Sequence, residues 1–543
     1  MFAVNFPLYS PHNDGLNSLL AECVHFLCKP LDSNQLSSLQ DFNVSAKSFD
    51  NLETPHRLIE KLYEYGHQKR KNPKSPLLNL NCRQSLIDYI IRERLKIRSD
   101  LILQLFDDGG LRDFDLWKLS EINEFTAIEI KKIFLKMLER SDNFHQLSLG
   151  GINWIYNSEI INSVLREFLC HNKNLTNLRS LKIQQITSQI DFFSLLNSCP
   201  NLNSLEIAEP SLNDAAIIEL NNRFGLNHAK LDVCHSLKRI TFPSSIKEQG
   251  LILFLAHFTS ITHLRCTPFE QLLDLLDQYL VNETSQAENF INFAQKVSST
   301  LKNLKVLSIA HPMSRNMIER LVKHCPKLVE ISLELQKQMN LIPLIEATNL
   351  EKLELHSCAF ESISFIEHIV PILERCGHRI KSLSLINFDH IDLSKCAQYC
   401  PNLLTFSAQC FQTITSQNRY LKLFGIKNFF PHLKQLRLRP RPTHVTPIDI
   451  CLQLIQNAND LEHIECYCCS DLNDEKIDEI NRKNSLSYLE TLILGHNHQV
   501  TYEALCRLVR ASYLSNNFVF HDCGLVSAKI KQEQSLWNRQ IRQ

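Results

Sequence analysis

The chain has 543 residues, 44% of them hydrophobic and 21% charged, and its 58 Lys and Arg are balanced by 58 Asp and Glu. That composition excludes a disordered or fibrous chain. The zero formal charge gives no bulk field toward nucleic acid or anionic lipid, so an electrostatic partner has to be read by a local patch.

The opening MFAVNFPLYSPHND has no basic segment followed by a long apolar one, so no signal peptide is expected. Residues 13–30 read as an amphipathic helix with Leu19, Cys23 and Leu27 four apart on one face, stopped by Pro30. Further short helices reach residue 66. The cationic stretch GHQKRKNPKSP at 66–76 then breaks the pattern as a solvated linker. From Asn81 the helical period returns, with Leu86, Ile90 and Ile91, then Leu101, Ile102 and Leu105. Residues 1–108 are therefore expected to form an N-terminal helical domain.

LRDFDLWKL at Leu111 opens a different pattern. Phrases of the form L-x-x-L-x-L begin at Phe144, Leu178, Leu202, Leu237, Ile261, Leu304, Leu328, Leu350, Ile380, Leu403, Leu433, Leu461 and Leu489. The fullest is NLEKLELHSC at 349–358, where Leu350, Leu353, Leu355 and Cys358 hold the fixed places of a leucine-rich repeat. Leu353 and Leu355 alternate on one strand face while Glu354 and His356 point away. One such strand buries little alone, so the pattern calls for stacked neighbours.

Helical segments lie between the strands, as in Met317 to Cys325, Phe365 to Cys376 and Glu503 to Ala511. Three phrases, SCPNL, HCPKL and YCPNL at Cys199, Cys325 and Cys400, place Pro as a helix stop and Cys and Leu as core where helix turns to strand. The fold class expected for 109–523 is an α/β leucine-rich-repeat horseshoe, with a parallel sheet on the concave face and helices outside. The irregular insertion at about 268–300 reads as a helix, an Asn/Ser-rich interruption and a second helix, and is expected as a loop insertion on the rim. Residues 524–543 are read as a polar tail or cap.

The 19 cysteines are scattered, many on core positions, which suits reduced thiols packed as small hydrophobes in the cytoplasm or nucleus. The CYCC at Cys466 to Cys469 invites a zinc reading. However, Cys466 and Cys469 fall on core positions of their repeat, and no second Cys/His pair stands nearby at ligand spacing. No metal and no cofactor is expected. Gly is scarce at 12, and no phosphate-cradling glycine motif occurs. No catalytic motif stands out either, so the chain is expected not to be an enzyme. The run Leu251 to Phe258 is too short to cross a bilayer.

The outward positions of the strands define a candidate partner surface. Glu330, Glu334 and Glu354, with His356 beside them, form an expected acidic patch. Gln435, Arg437, Arg439 and the following Arg441 form an expected basic one. Solvated strand faces without a partner are the alternative.

The segment SLLAECVHFL at 18–27 resembles the elongin BC-binding box, with Ser18, Leu19, Cys23 and Leu27 in its four places. The arrangement is similar to that of the Zyg-eleven and Zer-one group of cullin-RING substrate receptors. In that group a second box, apolar-Pro-x-x-apolar-x-x-x-apolar, contacts the cullin. Here Cys82, Leu86 and Ile90 match it, while Arg83 replaces the Pro. The resemblance implies a non-catalytic ubiquitin-ligase subunit with elongin BC, a cullin and a target protein as partners, and neither nucleic acid nor membrane. The group's degron-reading armadillo region has no counterpart in this sequence, so its degron preference is not implied. The repeats also resemble those of F-box leucine-rich receptors, though no F-box is found. The other reading is a leucine-rich-repeat scaffold that binds one partner protein.

Overall fold

A computed structural model describes residues 80–521, apart from 93–98, 108–110, 140–143, 150–174, 184–195, 208–232, 243–245, 282–287, 359–362, 416–429, 509–516 and scattered positions of one or two residues. The leucine phrases become the strands of one 15-stranded sheet. In chain order its first members are β1 (Asp113–Asp115), β2 (Gln146–Leu149), β3 (Ser180–Ile183), β4 (Ser204–Ile207), β5 (Arg239–Thr241), β6 (His263–Cys266), β7 (Val306–Ile309), β8 (Glu330–Leu335), β9 (Lys352–Ser357) and β10 (Ser382–Ile386). It continues through β12 (Thr405–Phe411), β14 (Gln435–Pro440), β16 (His463–Tyr467), β18 (Thr491–Gly495) and β19 (Asn517–His521). Two small parallel pairs follow the strand ends, β11 (His390–Asp392) with β13 (Thr413–Thr415), and β15 (Thr446–Pro447) with β17 (Cys469–Ser470). β19 is a strand that the leucine pattern did not announce.

All pairings in the large sheet are parallel and join successive repeats, so the fold is an open α/β leucine-rich-repeat solenoid. One rung recurs along it. The carbonyl just ahead of each strand accepts the two N–H groups at the same place in the next repeat. Lys238, for example, accepts from Thr262 and His263 at 2.9 and 3.0 Å, and Val329 from Glu351 and Lys352 at 2.9 and 3.0 Å. This rung locks the register, and the register stacks the leucines. Leu307, Ile331, Leu353 and Leu383 stand side by side and are each at most 1% exposed. Burying each such side chain contributes about 1.5–3 kcal/mol.

A strand at the end of a sheet leaves backbone groups unpaired. Helix α1 (Leu80–Arg92) supplies a substitute for a neighbouring strand at β1. The buried Gln84 side chain accepts from Arg112 N and Asp113 N through Oε1 (3.1 and 2.8 Å) and donates from Nε2 to the Asp113 carbonyl (2.9 Å). Leu86 and Ile90 of α1 and Ile102 and Leu105 of α2 (Ser99–Asp107) enter the same core as the first repeats. The described helices before residue 108 are thus packed as the solenoid's N-terminal cap.

The outer side is less uniform than one full helix per repeat. α3 (Leu116–Ile122) and α4 (Ala127–Glu139) follow β1, and α5 (Glu248–His257) follows β5. Between β8 and β9 only a 3₁₀ segment at Ile342–Glu346 fits, with Pro343 in its first turn. In the insertion at 268–300 the two helical stretches form α6 (Phe269–Val281) and α7 (Glu288–Lys302), which join the helical layer rather than standing on the rim as a loop. Both carry apolar stripes that must be buried, and they add to the helical layer. Thr300 Oγ1 donates to the Leu255 carbonyl of α5 at 3.1 Å. Arg320 on α8 (Met317–His324) reaches Asp274 and Asp277 of α6 at 2.7 and 2.8 Å.

The helix expected over Phe365 to Cys376 opens with a π turn at Phe365–Ile369 before α9 (Val370–Cys376). Pro371 has no N–H and its ring crowds the preceding turn, and widening that turn accommodates it. Further outer helices are α10 (Leu393–Tyr399), α11 (Ile448–Asn457) and α12 (Asp474–Lys483). The stretch Glu503 to Ala511 lies only partly within the described residues.

At the three Cys-Pro phrases, Cys199, Cys325 and Cys400 are fully buried, and each cysteine's carbonyl accepts from the N–H of Leu202, Leu328 or Leu403 at 3.1–3.3 Å. The Asn of SCPNL and YCPNL ties adjacent turns together. Asn201 and Asn402 donate 2.7 Å hydrogen bonds to the Thr176 and His378 carbonyls of the preceding repeat.

Candidate functional site

Alternation along each strand buries the leucines on one side and presents polar residues on the other. The concave face is therefore a register of these outward positions, and their chemistry depends on which neighbours the register brings together.

Over β8 and β9 the expected acidic patch is present but partly neutralised. Glu330 Oε2 lies 3.0 Å from Lys352 Nζ. Glu354 Oε1 accepts from Ser332 Oγ at 2.8 Å and lies 2.8 Å from His356 Nε2. The hydrogen bond to His356 is the largest cause holding the Glu354 carboxyl below its ordinary range, and Ser332 adds to it against the opposing effect of burial. Glu334 stands in register with His356 on the same face.

Over β14 the expected basic patch separates into two features. Arg437 and Arg439 remain on the face, but both converge on Glu465 of β16, a carboxylate only 4% exposed that sequence reasoning missed. Burial opposes its ionisation, but His463 and the two guanidinium groups outweigh burial and keep its pKa low. Arg439 also lies over the Tyr467 ring, 4.8 Å from its centroid. Tyr467 in turn covers Gly495, where an added Cβ would meet the ring at 2.1 Å. Gln435 stands beside Thr405 and His463 in the register. Arg441 leaves the face. It pairs with Asp389 at 3.0 Å and donates to the Cys410 carbonyl at 3.0 Å, fastening the turns of earlier repeats. The signal for Glu465 was available in LEHIEC, whose fifth place is outward, but its burial depends on the neighbours the fold brings around it, His463 and the two arginines among them.

A second cationic region also went unread. Arg239 of β5 is in register with His263 of β6, and Arg265 is in register with Thr241. Lys238 and Lys305 stand just ahead of β5 and β7. Lys238, Arg239, Arg265 and Lys305 are exposed, and among the described residues none has a carboxylate at ion-pair distance. Burial and then the Arg239 charge push His263 below its usual pKa. LKRITF and ITHLRC show Arg239 and Arg265 at outward places, so the alternation alone would have found those two.

The Cys466–Cys469 pair packs in the core, as its places in the repeat imply. α11 adds Cys451, whose Sγ lies 3.5 Å from that of Cys469, and all three sulfurs lie within 4.8 Å of one another. They border an apolar cavity of about 30 Å³ with Ile455, Ile464 and Leu494 in its wall. The Cys451 thiol is pushed up by its neighbour Cys466 and by burial, so the thiol form is favoured.

Ser18, Leu19, Cys23 and Leu27 lie outside the described residues. Of the second box, Leu86 and Ile90 are 4% and 0% exposed and packed into the chain's own core. A contact through those side chains would have to unpack the N-terminal cap. Among the described residues no helix is long and apolar enough to cross a membrane.

No family model and no curated protein matches the chain. Among solved structures it is similar to the yeast Rad7 and Elc1 complex, with 13% identity over 87% of this chain and 94% of that one and a TM-score of 0.39. An internalin from Listeria monocytogenes is 16% identical over 64% of this chain and 82% of its own, with a TM-score of 0.33. A leucine-rich-repeat protein from Leptospira interrogans is 15% identical over 79% and 98%, with a TM-score of 0.32.

Proposed function

We propose that the protein is a non-catalytic protein-interaction module and, more specifically, the substrate-recognition subunit of a cullin-RING ubiquitin ligase. In this reading Ser18, Leu19, Cys23 and Leu27 form a helix that lays Leu19 in a groove of elongin BC, with small Cys23 permitting close approach. The concave face holds the target.

The observation that carries the interaction role is the broad polar face of the sheet, fixed by a continuous buried leucine stack beneath it. Such a surface is rigid, so binding costs little ordering of the receptor. The ubiquitin-ligase part rests on the sequence resemblance at 18–27. A scaffold that binds one partner through the same face, with no ligase role, is the second reading.

A pull-down of purified chain with elongin BC separates the two. Wild type is expected to capture the adaptor. Leu19→Ser combined with Cys23→Phe should lose it while keeping the wild-type melting temperature. A folded wild-type chain that captures nothing leaves the scaffold reading alone standing.

A further inference from the structure

We propose that the concave face over β5–β7 is a recognition site for a short, extended acidic segment of a partner protein, carrying carboxylates at alternate positions. This rests on the reading of the concave face as the binding surface and goes further by naming the chemistry of the target.

The site contains four exposed permanent cations, Lys238, Arg239, Arg265 and Lys305, around the half-buried His263. Elsewhere on this side of the sheet cations meet acids: Lys182 with Glu206 at 2.8 Å, Lys352 with Glu330 at 3.0 Å, Lys381 with Glu351 at 2.7 Å, and Arg437 and Arg439 with Glu465. The β5–β7 cluster is built the other way. Its neighbours within these strands are Thr241, Val306 and Ser308, and the carboxylates that flank it on β4 and β8, Glu206 and Glu330, are already paired with Lys182 and Lys352. A carboxylate brought here gains charge-assisted hydrogen bonds without first breaking an internal pair.

Dimensions select the kind of ligand. Neighbouring strands lie about 4.8 Å apart, so the cluster spans about 10–15 Å, and alternate residues of an extended peptide are about 6.6 Å apart. Two or three carboxylates at alternate positions therefore fit the cations. Beyond β7 the face turns acidic with Glu330, Glu334 and Glu354. That boundary disfavours a nucleic acid, whose charge continues every few ångströms along its length. It instead suits an acidic stretch that ends after a few residues.

The test is fluorescence anisotropy with the full chain at low salt and a labelled peptide Ser-Glu-Ser-Glu-Ser-Glu-Ser, beside its Gln-for-Glu analogue and a labelled oligouridine. Wild type should bind the Glu peptide at least about tenfold more tightly than the Gln analogue, and binding should weaken as salt rises. Arg239→Ala with Arg265→Ala should weaken binding about tenfold, Arg239→Lys with Arg265→Lys should largely restore it, and Lys302→Ala on the outer face should leave it unchanged. The cations are exposed, so melting temperatures should match across the set.

Equal affinity for the Glu and Gln peptides, no effect of the alanine pair, or oligouridine binding more tightly than peptide through the same arginines would each overturn the proposal. Because the titration contains no elongin BC, a chain that captures the adaptor but ignores the Glu peptide overturns only this inference. One that binds the peptide but not the adaptor overturns only the ligase reading.

Discussion

At the scale of single residues, Gln84 closes the exposed end of the sheet with one side chain. Gln84→Ala removes a donor and an acceptor from the β1 backbone and leaves those groups without their partner. The expected loss is about 1–3 kcal/mol, read as a lower urea midpoint, together with a greater tendency to associate through the freed strand edge. An unchanged midpoint and a monodisperse variant would mean that water replaces the amide at no cost.

His257 gives a second residue-scale expectation. Burial, and then Lys296, push its imidazole below the ordinary value of 6.5. The unfolded chain therefore binds the proton more readily, and His257 contributes a loss of stability as pH falls below about 6.5. His257→Leu should show a smaller drop in melting temperature between pH 7.5 and pH 5.5 than wild type. An identical drop in both would remove His257 from the pH response.

At the scale of elements, the α6–α7 pair is held by apolar burial and decorated by ion pairs. Arg320 bridges Asp274 and Asp277 at a partly exposed position, so Arg320→Ala should cost no more than about 1 kcal/mol. Leu276 on the same helix is fully buried, and Leu276→Ala should cost about 2–5 kcal/mol. Chemical denaturation of the two variants orders them, and a reversed order would show that the charges hold the insertion in place. The sequence showed two helical stretches here, but not where their apolar stripes would be covered. That depended on α5 and α8 standing beside them.

At the scale of the whole molecule, each repeat touches chiefly its neighbours, so stability is close to a sum along one dimension. Leu353 is 1% exposed in the middle of the stack. Leu353→Asp buries an unpaired charge there and should cost more than about 4 kcal/mol. Interrupting the stack at its centre should also split the denaturation curve into two steps, because the repeats on either side lose their shared neighbour. A single transition, shifted but not split, would show coupling that extends beyond adjacent repeats.

The sequence by itself determined the period, the identity of the core and the fold class, because apolar residues at the fourth and sixth places of every phrase can be buried in only one way. It also marked every outward position, including Arg239, Arg265 and Glu465. Only the tertiary structure decided what those positions became. The charge of a strand face depends on which residues of other repeats stand beside it, and those lie from 22 residues away in sequence, as for Glu330 and Lys352, to 43, as for His263 and Val306. Register neutralised Arg437 and Arg439 with Glu465, fastened Arg441 to Asp389, brought Cys451 to Cys469 and, among the described residues, left the β5–β7 cations without a carboxylate at ion-pair distance. Local periodicity reports direction, in or out. Pairing is a long-range property, and it chose the face that is open to a partner.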